Sequence, residues 1–370
     1  FCHTIPIISC SSLMLSIGIV GLPNVGKSTL FNALTKSKQA DAQNYPFCTI
    51  EPNVGVVAVP DARLAALGPV EFSKKIVPTA IEFWDIAGLV KNASQGEGKG
   101  NAFLSNIKET NAIIHVVRAF SDNNIIHVEN RIHPKDDADI INLELILADL
   151  QGVESRLDKA KKRAKGVVPK ELALEILVLE KIAAQLGAGK RASGLSFTED
   201  EMVVVKELHL ITMKPMLYVV NIDDAQHSDS YRPVVEEGVP HIYISAKTEA
   251  ELGELSPEDA AEFMKELGME ESGLDTMIRA GYELLGRVTF FTCGEIETRA
   301  WTVEKDTKAP LAAGTIHTDF IKGFIKADVV NWKDFVEHGG WGGIKGTGKL
   351  RLEGKEYIVQ DGDTVYFHIA

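Results

Sequence analysis

Cysteine is scarce in this chain of 370 residues: Cys2, Cys10, Cys48 and Cys293 are all it has. Their spacing fits no metal-binding motif, and four in so long a chain make no disulfide framework. Stability must therefore come from packed cores, and the compartment reads as reducing. Positive charge is also short, with 39 Lys and Arg against 52 Asp and Glu, a net charge of −13. That excludes a uniformly basic coat for nucleic acid, though not a local basic patch. No stretch reaches the ~18 apolar residues of a membrane span, so the expectation is a soluble, cytoplasmic protein without a membrane partner. Residues 1–13 contain no Lys or Arg, so no positively charged segment precedes their apolar run. Met14, just ahead of the first strand, reads as the natural start, with 1–13 as an extension.

Against these absences stands a full phosphate-binding motif. Gly21-Leu-Pro-Asn-Val-Gly26-Lys27-Ser28 follows a short apolar strand and runs into Thr29-Leu30-Phe31-Asn32-Ala33-Leu34, whose apolar spacing predicts a helix. Amide groups of a glycine-rich turn at a helix N-terminus converge on phosphate oxygens, and the helix dipole favours their charge. Lys27 is placed to reach the β- and γ-phosphates and the Ser28 hydroxyl to ligate Mg²⁺. A second match, Gly343-Ile-Lys-Gly-Thr-Gly348-Lys349, fails: Leu350 stands where the metal-binding hydroxyl belongs, and the alternation that follows predicts a hairpin rather than a helix.

Further segments keep the order of a GTPase-type domain. Thr49, in Tyr45-Pro-Phe-Cys-Thr-Ile-Glu-Pro, suits a switch threonine completing the Mg²⁺ shell. Ala80-Ile-Glu-Phe-Trp-Asp85-Ile-Ala-Gly88 reads as a strand ending in D-x-x-G, with Asp85 on Mg²⁺ through water and the Gly88 amide sensing the γ-phosphate. Gln95-Gly-Glu-Gly-Lys-Gly-Asn101 has the glycine content of a segment that orders on triphosphate. Two later strands run into Asn221-Ile222-Asp223-Asp224 and Ser245-Ala246-Lys247, the places where such domains read the base. Ligands of open α/β sheets bind at those strand ends. Two departures matter. Ile222 replaces the lysine of a guanine reader, and Leu89 follows Gly88 where many GTPases place a water-orienting glutamine.

Gly21–Ala33, Tyr45–Gly55, Asp85–Asn101 and Asn123–His127 together resemble the YchF/Obg-like ATPase family in its bacterial branch, and the resemblance runs from Met14 to Ala370. It implies an OBG-type G domain with a mostly parallel, Rossmann-like sheet that prefers ATP. Carried onto this chain, Asn24, Val25, Gly26, Lys27, Ser28 and Thr29 hold the phosphates. Ser28 and Thr49 hold Mg²⁺, while Asn221 and Ile222 lie against adenine. Where the family usually has Glu, this chain has Asp224, which can accept guanine's N1 and N2 hydrogens but faces a lone pair on adenine. ATP and GTP both stay open on chemistry, with the missing lysine and the resemblance favouring ATP. For the missing glutamine the resemblance points to His127, to orient or deprotonate water; the alternative is a histidine satisfied in its loop. His115, inside Ala-Ile-Ile-His-Val-Val, reads as a strand histidine with a structural partner.

Between Asp85 and Asn221 the chain is longer than a sheet requires. Ile146, Leu150, Val153 and Leu157, then Leu172, Ile176, Leu179, Ala183 and Leu186, form two apolar stripes around Gly166-Val-Val-Pro169. They predict an antiparallel helical hairpin, a short coiled coil inserted at about 139–210 in a G domain spanning 14–285. Lys159-Ala-Lys-Lys-Arg-Ala-Lys165, near its tip, is either a solvated helix end or a contact for RNA phosphates.

From about Gly286 short alternating strands predict an α+β module over 286–370, with one main helix near Phe320–Ile325. By resemblance this is a TGS domain of β-grasp form, associated with RNA or the large ribosomal subunit. Trp301, Trp332 and Trp341 are core residues or base-stacking platforms, with core favoured for at least two. The whole describes a Mg²⁺-dependent ATPase acting as a ribosome-linked switch in translation or stress, with no DNA partner. The rivals are a GTPase of the same fold, a nucleotide-gated RNA-binding module with incidental turnover, and a small-molecule kinase.

Overall fold

The first of two six-stranded sheets among the described residues is built from the strands whose runs are most continuously apolar. A computed structural model describes residues 14–38, 53–86, 99–122, 131–166, 168–223 and 232–370. The N-terminal extension expected at 1–13 lies outside them. β1 (Leu15–Val20), β2 (Val54–Ala58), β4 (Ala80–Asp85), β5 (Ala112–Arg118), β6 (Met216–Asn221) and β7 (His241–Ile244) pair in the order β2-β4-β1-β5-β6-β7. All contacts are parallel except β2 with β4. Every residue of β5 and β6 is buried, which is what a parallel strand covered on both faces requires.

α1 (Lys27–Ser37), α3 (Lys99–Glu109), α7 (Ala246–Leu252) and α9 (Gly273–Leu284) contribute to the core of this sheet, and α8 (Pro257–Glu266), between α7 and α9 in the chain, buries no residue. Ser245, Ser256 and Ser272 each cap the helix that follows by accepting a backbone N–H, worth about 1 kcal/mol apiece. Leu274, Met277 and Ile278 of α9 join β5 and β6 in the main core.

The predicted helical hairpin is formed by α4 (Pro134–Arg163) and α5 (Lys170–Gly187), with α6 (Glu199–Glu207) packed against α5. α4 starts ahead of the expected insertion because its first turns belong to the sheet: Ala138, Ile141 and Leu145 lie in the main core. Only beyond Ile146 does the helix turn its apolar stripe to α5, where Val153 and Ala160 meet Val178, Leu179, Ile182 and Leu186. Val178 and Ile182 were missed by the sequence stripe, while Leu172 and Ile176 sit at its half-buried edge.

The second sheet has the order β11-β10-β12-β8-β9-β3. Its strands are β3 (Ile76–Val77), β8 (Arg287–Thr292), β9 (Thr298–Glu304), β10 (Phe324–Asn331), β11 (Arg351–Glu353) and β12 (Asp363–Ile369). β3 reaches it from far upstream, and α2 (Ala62–Val70) comes with it. Leu64 and Leu67 of α2 are buried against Phe291, Val330 and Phe335, each worth about 1.5–3 kcal/mol. Arg63 adds an ion pair to Asp361 at 2.5 Å.

The helix expected at Phe320–Ile325 is corrected by the structure. α11 (Asp319–Gly323) is a single turn, and Phe324 and Ile325 open β10. A Cβ on Gly323 would lie 2.7 Å from Ile369 Cγ2, so the chain presses close to β12 there. Beyond it the period-two burial of Ala327 and Val329 decides for a strand. The single main helix expected is four short ones, the others being α10 (Ala309–Ile316), α12 (Trp332–Glu337) and α13 (Gly340–Ile344). The failed phosphate motif spans the end of α13 and a loop, and β11 pairs back onto β10. Trp301, Trp332 and Trp341 are half-buried and pack on the two cores of this sheet.

Candidate nucleotide site

The site grows from the C-terminal end of β1. Gly21 has no room for a side chain, since a Cβ would lie 2.5 Å from Val116 O. The turn continues through Asn24 and Gly26, both left-handed, with φ of 64° and 94°. Gly26 ends the turn as the N-cap of α1, its carbonyl accepting from Leu30 N at 3.0 Å. The first amides of α1 have no carbonyl of their own helix to bond. Ser28 and Thr29 are exposed beside them, whereas Lys27 is only 8% exposed.

Pairing of β1 with β4 places Ile19 opposite Asp85, and this brings the second element to the loop. Lys27 Nζ lies 2.5 Å from Asp85 Oδ1, and Ser28 Oγ donates to Asp85 Oδ2 at 3.3 Å. A hydroxyl and a carboxylate side by side are hard oxygen donors of the kind Mg²⁺ selects. These two oxygens therefore fit the ion, with Lys27 as the counter-charge that phosphate can take over.

β6 supplies the third element. Asn221 is 4% exposed, and both ends of its carboxamide are used. Nδ2 donates to Val25 O at 2.9 Å, and Oδ1 accepts from Ala246 N at 3.0 Å. The predicted base-reading asparagine thus ties the phosphate loop to the Ser245–Ala246 turn. It also explains Gly26, whose Cβ would collide with Asn221 Nδ2. Ile222 is buried, with its N–H on Ile244 O. Ser245 Oγ donates to Asp223 O at 3.2 Å and caps α7 by accepting from Thr248 N.

Asn24, Val25, Gly26, Lys27, Ser28, Thr29 and Asp85 therefore converge on one loop, with Asn221, Ile222, Ser245 and Ala246 beside it. Thr49, Gly88, His127 and Asp224 lie outside the described residues. A cleft of about 530 Å³ opens next to Ile222 and Ser245, lined also by Tyr243, Thr248 and Met269. None of Gly26–Thr29 borders it, so it flanks Ile222 and Ser245 rather than the start of α1.

Sequence reasoning missed the segment after β5. Arg118 is paired in register with Asn221 and is 2% exposed. Its guanidinium donates to the carbonyls of Phe120 and Asp122, each at 3.2 Å, and lies 4.2 Å above the Phe120 ring. The Asp223 carboxylate accepts from Ser121 N and Ser121 Oγ at 3.0–3.1 Å. Phe120 is thereby held by Arg118 on its carbonyl and ring, next to the Ser121–Asp223 contact. The signal was its position just beyond a buried parallel strand.

His115 has the buried strand position expected, and Tyr218 is a ring partner to it. It packs on Tyr218 with ring centroids 5.2 Å apart, and no hydrogen bond to its Nδ1 is found among the described residues. Burial, with Arg191 as a smaller influence, pushes its pKa down to about 3, so the ring is neutral.

Comparison with known proteins places this geometry. A family model described as 50S ribosome-binding GTPase matches residues 16–147. The YchF-GTPase_C model, described as a protein of unknown function (DUF933), matches 288–370. The chain is similar to the ribosome-binding ATPase YchF of Bacillus subtilis, with 51% identity covering 96% of this chain and 99% of that one. The protein of that name from Haemophilus influenzae is 50% identical, covering 95% and 98%. Among solved structures, the YchF GTPase of Schizosaccharomyces pombe superposes with a TM-score of 0.86 at 37% identity, covering 96% of this chain and 98% of that one. A shared architecture with near-complete coverage in both directions settles the kinship, and this chain belongs to the YchF family.

Proposed function

We propose that this chain is a Mg²⁺-dependent nucleotide hydrolase that prefers ATP to GTP and works in the cytoplasm as a ribosome-associated switch. The observation that carries the reading is the convergence of Lys27, Ser28 and Asp85 at the N-terminus of α1, just after the glycine-rich turn. Asn24 to Thr29 and Gly88 hold the phosphates in this reading. Ser28, Thr49 and Asp85 hold the ion, which when bound supplies charge neutralisation on the phosphate oxygens. Lys27 leaves Asp85 for the β- and γ-phosphates, and this exchange turns a stored ion pair into ligand contacts. His127 orients the attacking water, since Leu89 cannot. Hydrolysis then needs little more than positioning and charge stabilisation.

For the base, Asn221, Ser245 and Ala246 fix the platform while Ile222 and Asp224 face the ring. Ile222 offers an apolar surface that suits adenine, and the B. subtilis and H. influenzae relatives are named ATPases. The S. pombe relative is titled a GTPase, which keeps guanine reading by Asp224 as the second reading. The ribosome enters through the names of the relatives, and the basic tip of the hairpin supports a contact with RNA. Lys161 and Arg163 are paired with Glu180 and Glu175, but Lys159, Lys162 and Lys165 are exposed and make no ion pair among the described residues. We assign the second sheet, as a TGS-type module, to the same contact. Among the described residues no helix is long and apolar enough to cross a membrane.

Phosphate release from ATP with Mg²⁺, with and without ribosomes, tests the reading. The parent should turn ATP over, and Lys27→Ala should retain about 1% or less, the loss of one electrostatic contact to developing charge. Equal turnover by the variant would overturn the phosphate-loop assignment.

A further inference from the structure

A buried polar chain runs beneath the base-reading strands and ends in the helical insertion. Tyr218, on β6, is fully buried and paired in register with His115 of β5 and His241 of β7. The three rings form a row across adjacent strands, with centroids 5.2 and 5.3 Å apart. Tyr218 Oη accepts from Asn142 Nδ2 of α4 at 2.7 Å and donates to Glu236 Oε2 at 2.8 Å. The other oxygen of Glu236 accepts from Arg191 Nη2 at 2.6 Å. Arg191 lies just beyond α5, on the return path from the hairpin, and its Nη1 is 3.6 Å from Met216 Sδ at the start of β6. His241 Nε2 accepts the N–H groups of Val235 and Glu236, closing the ring of contacts on β7.

Further bonds tie the insertion to the turn just before β6. The buried Asp149 carboxylate of α4 accepts from Ile211 N and Thr212 N at 3.1 and 2.7 Å. β6 is thus held from below by α4 and Arg191, and it delivers Asn221 three residues, about 10 Å, beyond Tyr218. β7 is held through His241 and delivers Ser245 and Ala246.

We infer that Arg191, Glu236 and Tyr218 are positioning residues for base recognition: through them the helical insertion sets how the ends of β6 and β7 present Asn221, Ile222, Ser245 and Ala246. The phosphate loop meets this chain only where Asn221 Nδ2 donates to Val25 O, whereas its charged and hydroxyl groups, Lys27 and Ser28, are held by Asp85. The inference rests on the reading that those four residues form the base platform.

The test separates base from phosphate. Binding of ATP and of inorganic tripolyphosphate, each with Mg²⁺, is measured on the full chain by calorimetry, together with the Tm of each variant. Arg191→Gln and Tyr218→Phe should weaken ATP by roughly 5- to 20-fold, the lower range of coupling between sites. Tripolyphosphate should stay within about twofold, and Arg191→Lys should recover most of the ATP affinity. Two variants on different elements guard against one failing to fold. Unchanged ATP affinity in both, or equal weakening of ATP and tripolyphosphate, would overturn the inference. If the parent itself binds tripolyphosphate as tightly as ATP, the base platform is wrong, and the inference goes with it.

Discussion

The two ends of the nucleotide site are built on opposite terms. At the phosphate end, Lys27 and Asp85 hold each other, while Ser28 and Thr29 stand in solvent. At the base end, Asn221, Asp223 and Ser245 spend their side chains on the protein itself. The first arrangement can be exchanged for a ligand because its charges have alternatives. The second is a scaffold whose side chains are already bonded within the protein, and in the proposed reading the base is read by what that scaffold presents. In the proposed reading, charge exchange carries affinity for triphosphate, and preorganisation carries selectivity.

Substitutions at the two ends sharpen this contrast. Lys27→Ala should have the largest effect, weakening ATP by about 100-fold or more in a calorimetric titration, with little change in Tm. Asp85→Asn acts on the same pair in the opposite sense. It frees Lys27, so nucleotide binding without Mg²⁺ should strengthen while its Mg²⁺ dependence largely disappears. Binding with and without chelator reads both, and an unaltered Mg²⁺ dependence would remove Asp85 from the metal's surroundings.

Asn221→Ala tests the scaffold. It leaves Val25 O and Ala246 N without their partner, at about 1–3 kcal/mol each. Thermal unfolding should shift down by several degrees, and phosphate and base affinity should fall together because both loops lose their tie. Asp223→Ala removes only the hold on Ser121, a loss of about 1 kcal/mol, and should lower base selectivity before stability.

These outcomes also show how far the sequence could be read. The phosphate loop was legible because glycine at a left-handed turn, lysine and serine each answer a local demand, and Asp85 followed from its place at a strand end. The role of Asn221 as a clamp was not legible, since it depends on Val25 and Ala246, which lie far away in the chain. In the second sheet, the helix expected at Phe320–Ile325 runs past its real end, because the single turn at Asp319–Gly323 leads directly into Phe324 and Ile325 of β10. The union of Ile76–Val77 with β9 has no local signal at all. Contacts made across long sequence separations are set by packing, which a periodicity pattern does not record.

A further effect is one of pH. His115 is neutral when folded, with a pKa near 3 against about 6.5 when unfolded. The unfolded chain binds the extra proton between those values, so the His115 contribution is complete above pH 6.5 and declines as pH falls toward 3. The slope is roughly 1.4 kcal/mol per pH unit at most. His115→Gln removes this titration, so denaturant unfolding at pH 7 and pH 5 should lose less stability on acidification in the variant than in the parent. An equal loss would mean the ring is not held neutral.

The central claim is that an altered base platform on an otherwise GTPase-like loop selects adenine. Competition of unlabelled ATP and GTP against a fluorescent nucleotide, with Mg²⁺, tests it most directly. ATP should displace the probe at clearly lower concentration than GTP, with Ile222 and its surroundings prevailing over Asp224. Tighter binding of GTP would contradict the account and assign Asp224 as a guanine reader.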